Sequence, residues 1–375
     1  MYMLVTYGIL GVLSLLSLKI PKEKYKKIET IVLAAVCLFI MFRYSAGHDY
    51  YSYRFLFQRY QGQTLHYALT FGQRGHTIFN VILLLFGKIT SSYEVFRILL
   101  NIIFSIILFY LINKHSKNKI LSAMLLIGSG VFEIYYSSGL KQMIAMTCFF
   151  FGYYEFLKKN KPIPYLILAI ISAGCHIVGY VSFLVIIFYY LYPWIKKHNY
   201  INFIIMGLSI LLSVYVILGF PGLFEYLPDY FKVYFTDTKF SIIGLALRVV
   251  LLGNIILLYM MAEKKKLDNF TEFSVYICFL SFFLYVAVCS ASVMSRISDY
   301  IGIIELILIP ELWEAIADNK KKIFIFICFF AVNFVLLISD IKENLSGGYN
   351  SQSLLDYPYV SIFKPQDLFK YYYIE

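Results

Sequence analysis

Apolar runs of about twenty residues recur along the whole of this chain, separated by short polar connectors. A helix of that length spans the ~30 Å hydrocarbon core of a bilayer. Inside that core a backbone has no water to bond, so its N–H and C=O groups are satisfied within the helix itself. The constraint is reinforced by composition: 60% of 375 residues are hydrophobic and 15% are charged, more apolar surface than a soluble domain can bury. The expected fold class is all-α, a polytopic transmembrane helix bundle forming a single domain over residues 1–375. The first run follows only Met1-Tyr2, lacks a basic lead and a small-residue cleavage site, and reads as a retained first helix.

Twelve crossings are predicted, at 2–20, 28–44, 92–112, 119–137, 140–157, 162–174, 175–193, 199–219, 242–262, 270–290, 294–317 and 321–341. Lysine clusters sit in the short connectors at 22–27, 114–119, 158–161, 196–197, 264–266 and 320–322. The positive-inside rule assigns all of these to the cytoplasmic side. Two stretches strain that scheme. The 162–193 run is too long for one upright helix and is broken at Ala173-Gly174-Cys175-His176 into two short crossings. The 74–89 stretch is short, and a full crossing there would reverse every later connector, so it is read as a re-entrant or interfacial helix. The competing topology makes 74–89 a crossing and 162–193 one tilted helix, which exports the lysines at 114–119 and 158–161. The preferred scheme leaves external loops at 46–73 and 220–241 and an external tail at 342–375.

The net charge of +11 is placed in these connectors, so it reports topology and not a nucleic-acid partner. The six cysteines lie in or beside apolar runs without metal or disulfide spacing. No phosphate-binding glycine loop follows a strand signal, which removes support for ATP coupling and nicotinamide chemistry.

What remains is a set of polar residues near the predicted outer face. FRYSAGHDYYS, Phe42 to Ser52, places Arg43, Asp49 and tyrosines at the lipid boundary. A boundary arginine can snorkel and an aspartate there can cap a helix. A guanidinium also suits phosphate oxygens, and a carboxylate can take a proton from a hydroxyl. Tyr50 and Tyr53 offer flat faces to sugar rings, or serve as interfacial belt residues. Lys141 and Gln142 open a helix whose free N–H groups favour an anion. His176 stands at a helix break, where irregular backbone lines a cavity, and imidazole suits proton transfer. Arg296, Asp299 and Tyr300 share a helix face, with an Arg296–Asp299 ion pair as the plain structural reading. Arg248 and Glu305 lie deeper, where charge is costly. Glu133 and Arg97 are weaker signals.

Taken in order, these residues resemble the EpsG/Wzy-type family of bacterial polysaccharide polymerases. The matching elements are Arg43-Tyr44-Ser45-Ala46-Gly47-His48-Asp49-Tyr50, then Lys141-Gln142-Met143-Ile144-Ala145, then His176. Phe231-Lys232-Val233-Tyr234, Ser295-Arg296-Ile297-Ser298-Asp299-Tyr300 and Pro358-Tyr359 follow. Lys141 stands where the family has arginine and Phe231 where it has tyrosine. Gln73-Arg74-Gly75-His76 carries no counterpart of an acidic residue frequent in relatives.

The resemblance implies glycosyl transfer between undecaprenyl-diphosphate-linked repeat units at the outer face of the bacterial plasma membrane, with the lipid diphosphate leaving. It implies lipid-linked oligosaccharide substrates, contact with membrane lipids, and a chain-length regulator and flippase as partners. Arg43, Lys141, Arg296 and Arg248 then bind diphosphate, Asp49 or His176 accepts the hydroxyl proton, and Gln142, Tyr50, Tyr53, Tyr234 and Tyr300 line the glycan path. Cationic side chains do the neutralising, so no metal or cofactor is called for. An O-antigen-type ligase or another lipid-linked-sugar glycosyltransferase is a second reading. A polysaccharide-precursor flippase is a third, which predicts charges through both halves of the bilayer.

Overall fold

The computed structural model describes residues 2–42, 49–70, 75–129, 131, 139–198, 200–217, 242–287 and 292–346. Among these residues there are sixteen α-helices and no β-strand. They are α1 Tyr2–Leu16, α2 Lys22–Met41, α3 Tyr50–Tyr60, α4 Leu65–Thr70, α5 Thr77–Ile89, α6 Tyr93–His115, α7 Lys119–Gly128 and α8 Leu140–Glu155. Then follow α9 Pro162–Cys175, α10 Val181–Lys197, α11 Tyr200–Ile217, α12 Ile242–Met261, α13 Asn269–Ala287, α14 Ser292–Gly302, α15 Glu305–Ala315 and α16 Asn319–Ser346. Their starts follow local chemistry. Asn118 caps α7 by accepting from the Leu121 amide at 3.0 Å, Ser92 does the same for α6 at 3.4 Å, and Pro162 opens α9 where no N–H is needed.

Among the described residues, four helices are long and apolar enough to cross a membrane: Tyr93–His115, Ile177–Lys197, Asn269–Val286 and Asn319–Ser339. The other predicted crossings fall on shorter or less apolar helices. Of the crossing predicted at 119–137, α7 covers Lys119–Gly128, ten residues and about 15 Å, while residues 130 and 132–137 lie outside the described residues. Every residue of α7 is buried, packed among α1, α2, α15 and α16. Gly128 is required there, because a Cβ would stand 2.4 Å from the Tyr7 ring. The crossing predicted at 294–317 is two helices, α14 and α15, parted by a turn at Ile303-Ile304. Tyr154 donates its hydroxyl to the Ile304 carbonyl at that turn, 3.1 Å away.

The break predicted at Ala173–His176 is present. Helix α9 stops at Cys175, a 3₁₀ turn covers Ile177–Tyr180, and α10 returns along α9 so that Tyr190 reaches Asn160 at 3.5 Å. Gly179 lets the turn fold onto α9, since a Cβ there would come within 2.3 Å of the Ser172 carbonyl carbon. Helix α5, thirteen residues and about 20 Å, is too short to cross and lies against α3, α4 and α9. The expected loop at 46–73 contains α3 and α4.

The lysine connectors gather at one end of the bundle. The Lys119 amide and ammonium bond Glu29 and Thr30, joining the first half of α2 to the start of α7. Lys114, His115 and Lys159 converge on Glu155 at 2.6–2.7 Å. Lys158 meets Asp268 at 3.4 Å, Lys196 pairs with Glu272, and the Glu263 amide bonds the Ala315 carbonyl at 3.1 Å. This chain of contacts excludes the topology that sends 114–119 and 158–161 to the opposite face.

Candidate functional site

The far end of α8 carries the site. Lys141 lies fourteen residues before Glu155, about 21 Å of helical rise from the lysine-rich end. Its ammonium stands 5.8 Å from the centres of the Tyr53 and Phe79 rings, supplied by α3 and α5. The Tyr53 and Phe79 rings meet edge to face at 5.8 Å, which fixes this wall. The charges of Asp49, just ahead of α3, and Arg296, on α14, both act on Lys141. Asp49 is exposed and stands at the helix N-cap, but its carboxylate makes no capping bond to the first turn. The capping reading of that residue is therefore not met.

Arg296 is exposed and has no ion pair among the described residues. The expected Arg296–Asp299 pair is replaced by another. Asp299 binds Arg248 from α12, whose guanidinium also lies 5.6 Å from the Tyr285 ring, and both charges act on Glu305. Arg248 is thus committed to a structural pair, while Arg296 remains available. The Gln142 side-chain amide donates to the Arg296 carbonyl at 3.3 Å, tying α8 to α14 behind the site.

Two histidines complete the cluster. His176, at the break between α9 and the 3₁₀ turn, accepts the Val178 amide at Nδ1, 3.3 Å away. In its neutral form the proton is therefore on Nε2. His76, which precedes α5, bonds the Cys175 carbonyl through Nδ1 at 3.1 Å. A carbonyl only accepts, so His76 carries its proton on Nδ1 and leaves Nε2 bare. The rings stack with centres 5.9 Å apart and planes 22° apart. Lys141 and Arg296 both act electrostatically on His176. The pair thus offers one N–H donor and one lone pair near two cations, with the Asp49 carboxylate acting on one of them, an arrangement able to hold an anion and move a proton.

Tyr300 is packed into the bundle. It is fully buried, with its hydroxyl 2.6 Å from Ser172 Oγ and 2.7 Å from Ser182 Oγ and its ring stacked on Phe149 at 4.8 Å. These contacts join α8, α9, α10 and α14 and leave Tyr300, expected on a glycan path, buried in their packing. Tyr50 is buried too, its hydroxyl donated to the Glu94 carboxylate and its ring edge-on to Tyr93 at 5.4 Å. Arg43 and Tyr234 lie outside the described residues, as does Glu133.

His76 was not legible as a site residue, because a histidine after a glycine at a helix start has no chemistry until a partner faces it. Arg97, a weaker signal in the sequence, lies with Asn101 and Ser105 in an i+4 series along α6, and all three are buried.

Comparison with curated proteins gives no match, and comparison with solved structures gives none either. The model of the EpsG family matches residues 26–359, a stretch holding every residue of the cluster just described. The chain belongs to the EpsG family, membrane proteins associated in general with polysaccharide polymerisation.

Proposed function

We propose that the protein polymerises undecaprenyl-diphosphate-linked oligosaccharide repeat units at the outer face of the bacterial plasma membrane. The observation that carries this reading is the meeting of Lys141, Arg296, Asp49 and the histidine pair at the end of the bundle opposite the lysine connectors. In this reaction the acceptor hydroxyl loses its proton, its oxygen bonds the anomeric carbon of the growing glycan, and the bond from that carbon to the diphosphate oxygen breaks. The electron pair leaves with the lipid diphosphate. Cations placed where charge grows lower the barrier, and Lys141 and Arg296 are in position to do so. A lysine at 141 supplies a point charge without a bidentate fork, so Arg296 is the group suited to grip two phosphate oxygens.

Asp49 takes the acceptor proton, because its carboxylate is exposed and beside Lys141. His176 has its Nδ1 lone pair occupied and its Nε2 protonated, which suits it to donate a hydrogen bond to the departing phosphate. The wall of Tyr53 and Phe79 offers apolar faces to sugar rings. A flippase reading is disfavoured by the committed Arg248–Asp299 pair, which leaves the deeper charges neutralised by each other.

Cells whose own copy is deleted should accumulate single repeat units on the lipid carrier. Lys141→Ala, Arg296→Ala and Asp49→Asn should each reproduce that state at normal membrane abundance, losing ~100-fold or more of polymer formation. Long polymer from both the Lys141 and the Arg296 variants sinks the reading. Transfer of finished chains to a different acceptor, without lengthening, would favour a ligase.

A further inference from the structure

Arg97 sits one turn inside α6 and is 4% exposed. Its Nε and Nη2 are sealed from solvent with no hydrogen-bond partner, and it joins no ion pair among the described residues. A guanidinium stays charged at any physiological pH, so the cost of burying it cannot be escaped by releasing a proton. Glu94, one turn earlier on α6, accepts the Tyr50 hydroxyl and forms no ion pair with Arg97. The near neighbour that Arg97 does have is the Tyr50 ring, 5.8 Å from its central carbon. Tyr50 and Tyr53 are one turn apart on α3, and Tyr53 carries Lys141 at its own ring. The uncompensated arginine and the lysine of the catalytic cluster therefore address the same tyrosine-bearing helix, which starts at the exposed Asp49.

We propose that Arg97 is the cationic floor of an additional anion subsite, separate from Lys141 and Arg296, that takes a phosphate or diphosphate group approaching along α3. Its part in polymerisation rests on the function proposed above, whereas its anion binding does not. Once the side chains that seal them part to admit it, a group with two phosphate oxygens satisfies Nε and Nη2 together in a bidentate contact and supplies a counter-charge. Such a subsite would hold a second lipid-linked substrate in a reaction that joins two of them.

The test uses the full-length protein in detergent, comparing wild type with Arg97→Met and Arg97→Lys. The probes are inorganic pyrophosphate, farnesyl diphosphate, and phosphatidylglycerol added as mixed micelles. Binding is followed by the ligand-induced rise in unfolding temperature. Arg97→Met should weaken binding of at least one probe about tenfold or more, the scale of a charged hydrogen-bonded contact. Arg97→Lys should recover part of it. Without any probe, Arg97→Met should melt no lower than wild type, because it removes an uncompensated buried charge. Diphosphate probes that bind while phosphatidylglycerol does not identify the carrier head group as the source, and the reverse identifies bilayer lipid. Arg97→Met binding all probes as wild type does, melting lower without probe, or failing to fold overturns the proposal. Polymer length is not read, so failure of the polymerase reading and failure of this subsite are distinguishable.

Discussion

Arg296 and Tyr300 lie four residues apart on one helix and have opposite surroundings. Arg296 is exposed with no ion pair among the described residues, whereas Tyr300 is sealed between two serine hydroxyls. Tyr300→Phe removes the bridge and leaves Ser172 and Ser182 each one bond poorer in a buried setting. Stability should fall by about 1–2 kcal/mol, with polymer formed per folded molecule unchanged. Thermal melts in detergent, read beside activity normalised to folded protein, check this, and a loss of specific activity would return Tyr300 to the site. At this scale the sequence exposed which residue types were costly, but not their partners. Asp299 faces a same-helix arginine in the sequence and binds one from α12 in space, 51 residues away. Ion pairing follows distance between side chains, and helix spacing supplies only one of the available distances.

Helix ends show the same division. Asp268 caps α13 through the Thr271 amide and hydroxyl, both at 2.7 Å. Burial pushes its carboxyl up, but those two bonds and the Lys158 ammonium outweigh it and hold it below the ordinary carboxylate range. A carboxyl lowered by folding stabilises above its unfolded value, and the contribution disappears as pH falls through the folded one. Asp268→Ala should therefore cost about 1 kcal/mol at neutral pH, and the difference from wild type should close in acid, as melts across pH would record. The break before His176 was readable as a short local pattern, where Ala-Gly interrupts an overlong run. The ends of α7 and α14 carry glycines, Gly128 and Gly302, but glycines also sit inside α1, α11 and α12, so the sequence alone did not single these two out as stops. In the structure Gly128 takes the Tyr7 ring and Tyr154 holds the turn that follows Gly302.

Across the whole molecule, the lysine connectors mark one end and the Lys141 cluster the other. Single cysteines introduced in a cysteine-free background at Lys117, Lys161, Lys265 and Lys321 should react with a membrane-impermeant thiol reagent from the cytoplasmic side alone. A cysteine at Asp49 should react from outside alone. Labelling of Lys117→Cys from outside would restore the rejected topology and place its lysines on opposite faces. The sequence alone determined the class of fold, the basic end and the family resemblance, because hydropathy, charge bias and short motifs are properties of consecutive residues. Only the tertiary structure decided which end holds residues 114–119 and 158–161, which arginine pairs with Asp299, and that His76 stacks on His176. Those facts depend on how separate helices lie against one another, and apolar surfaces of equal hydropathy do not specify that order until their side chains interlock.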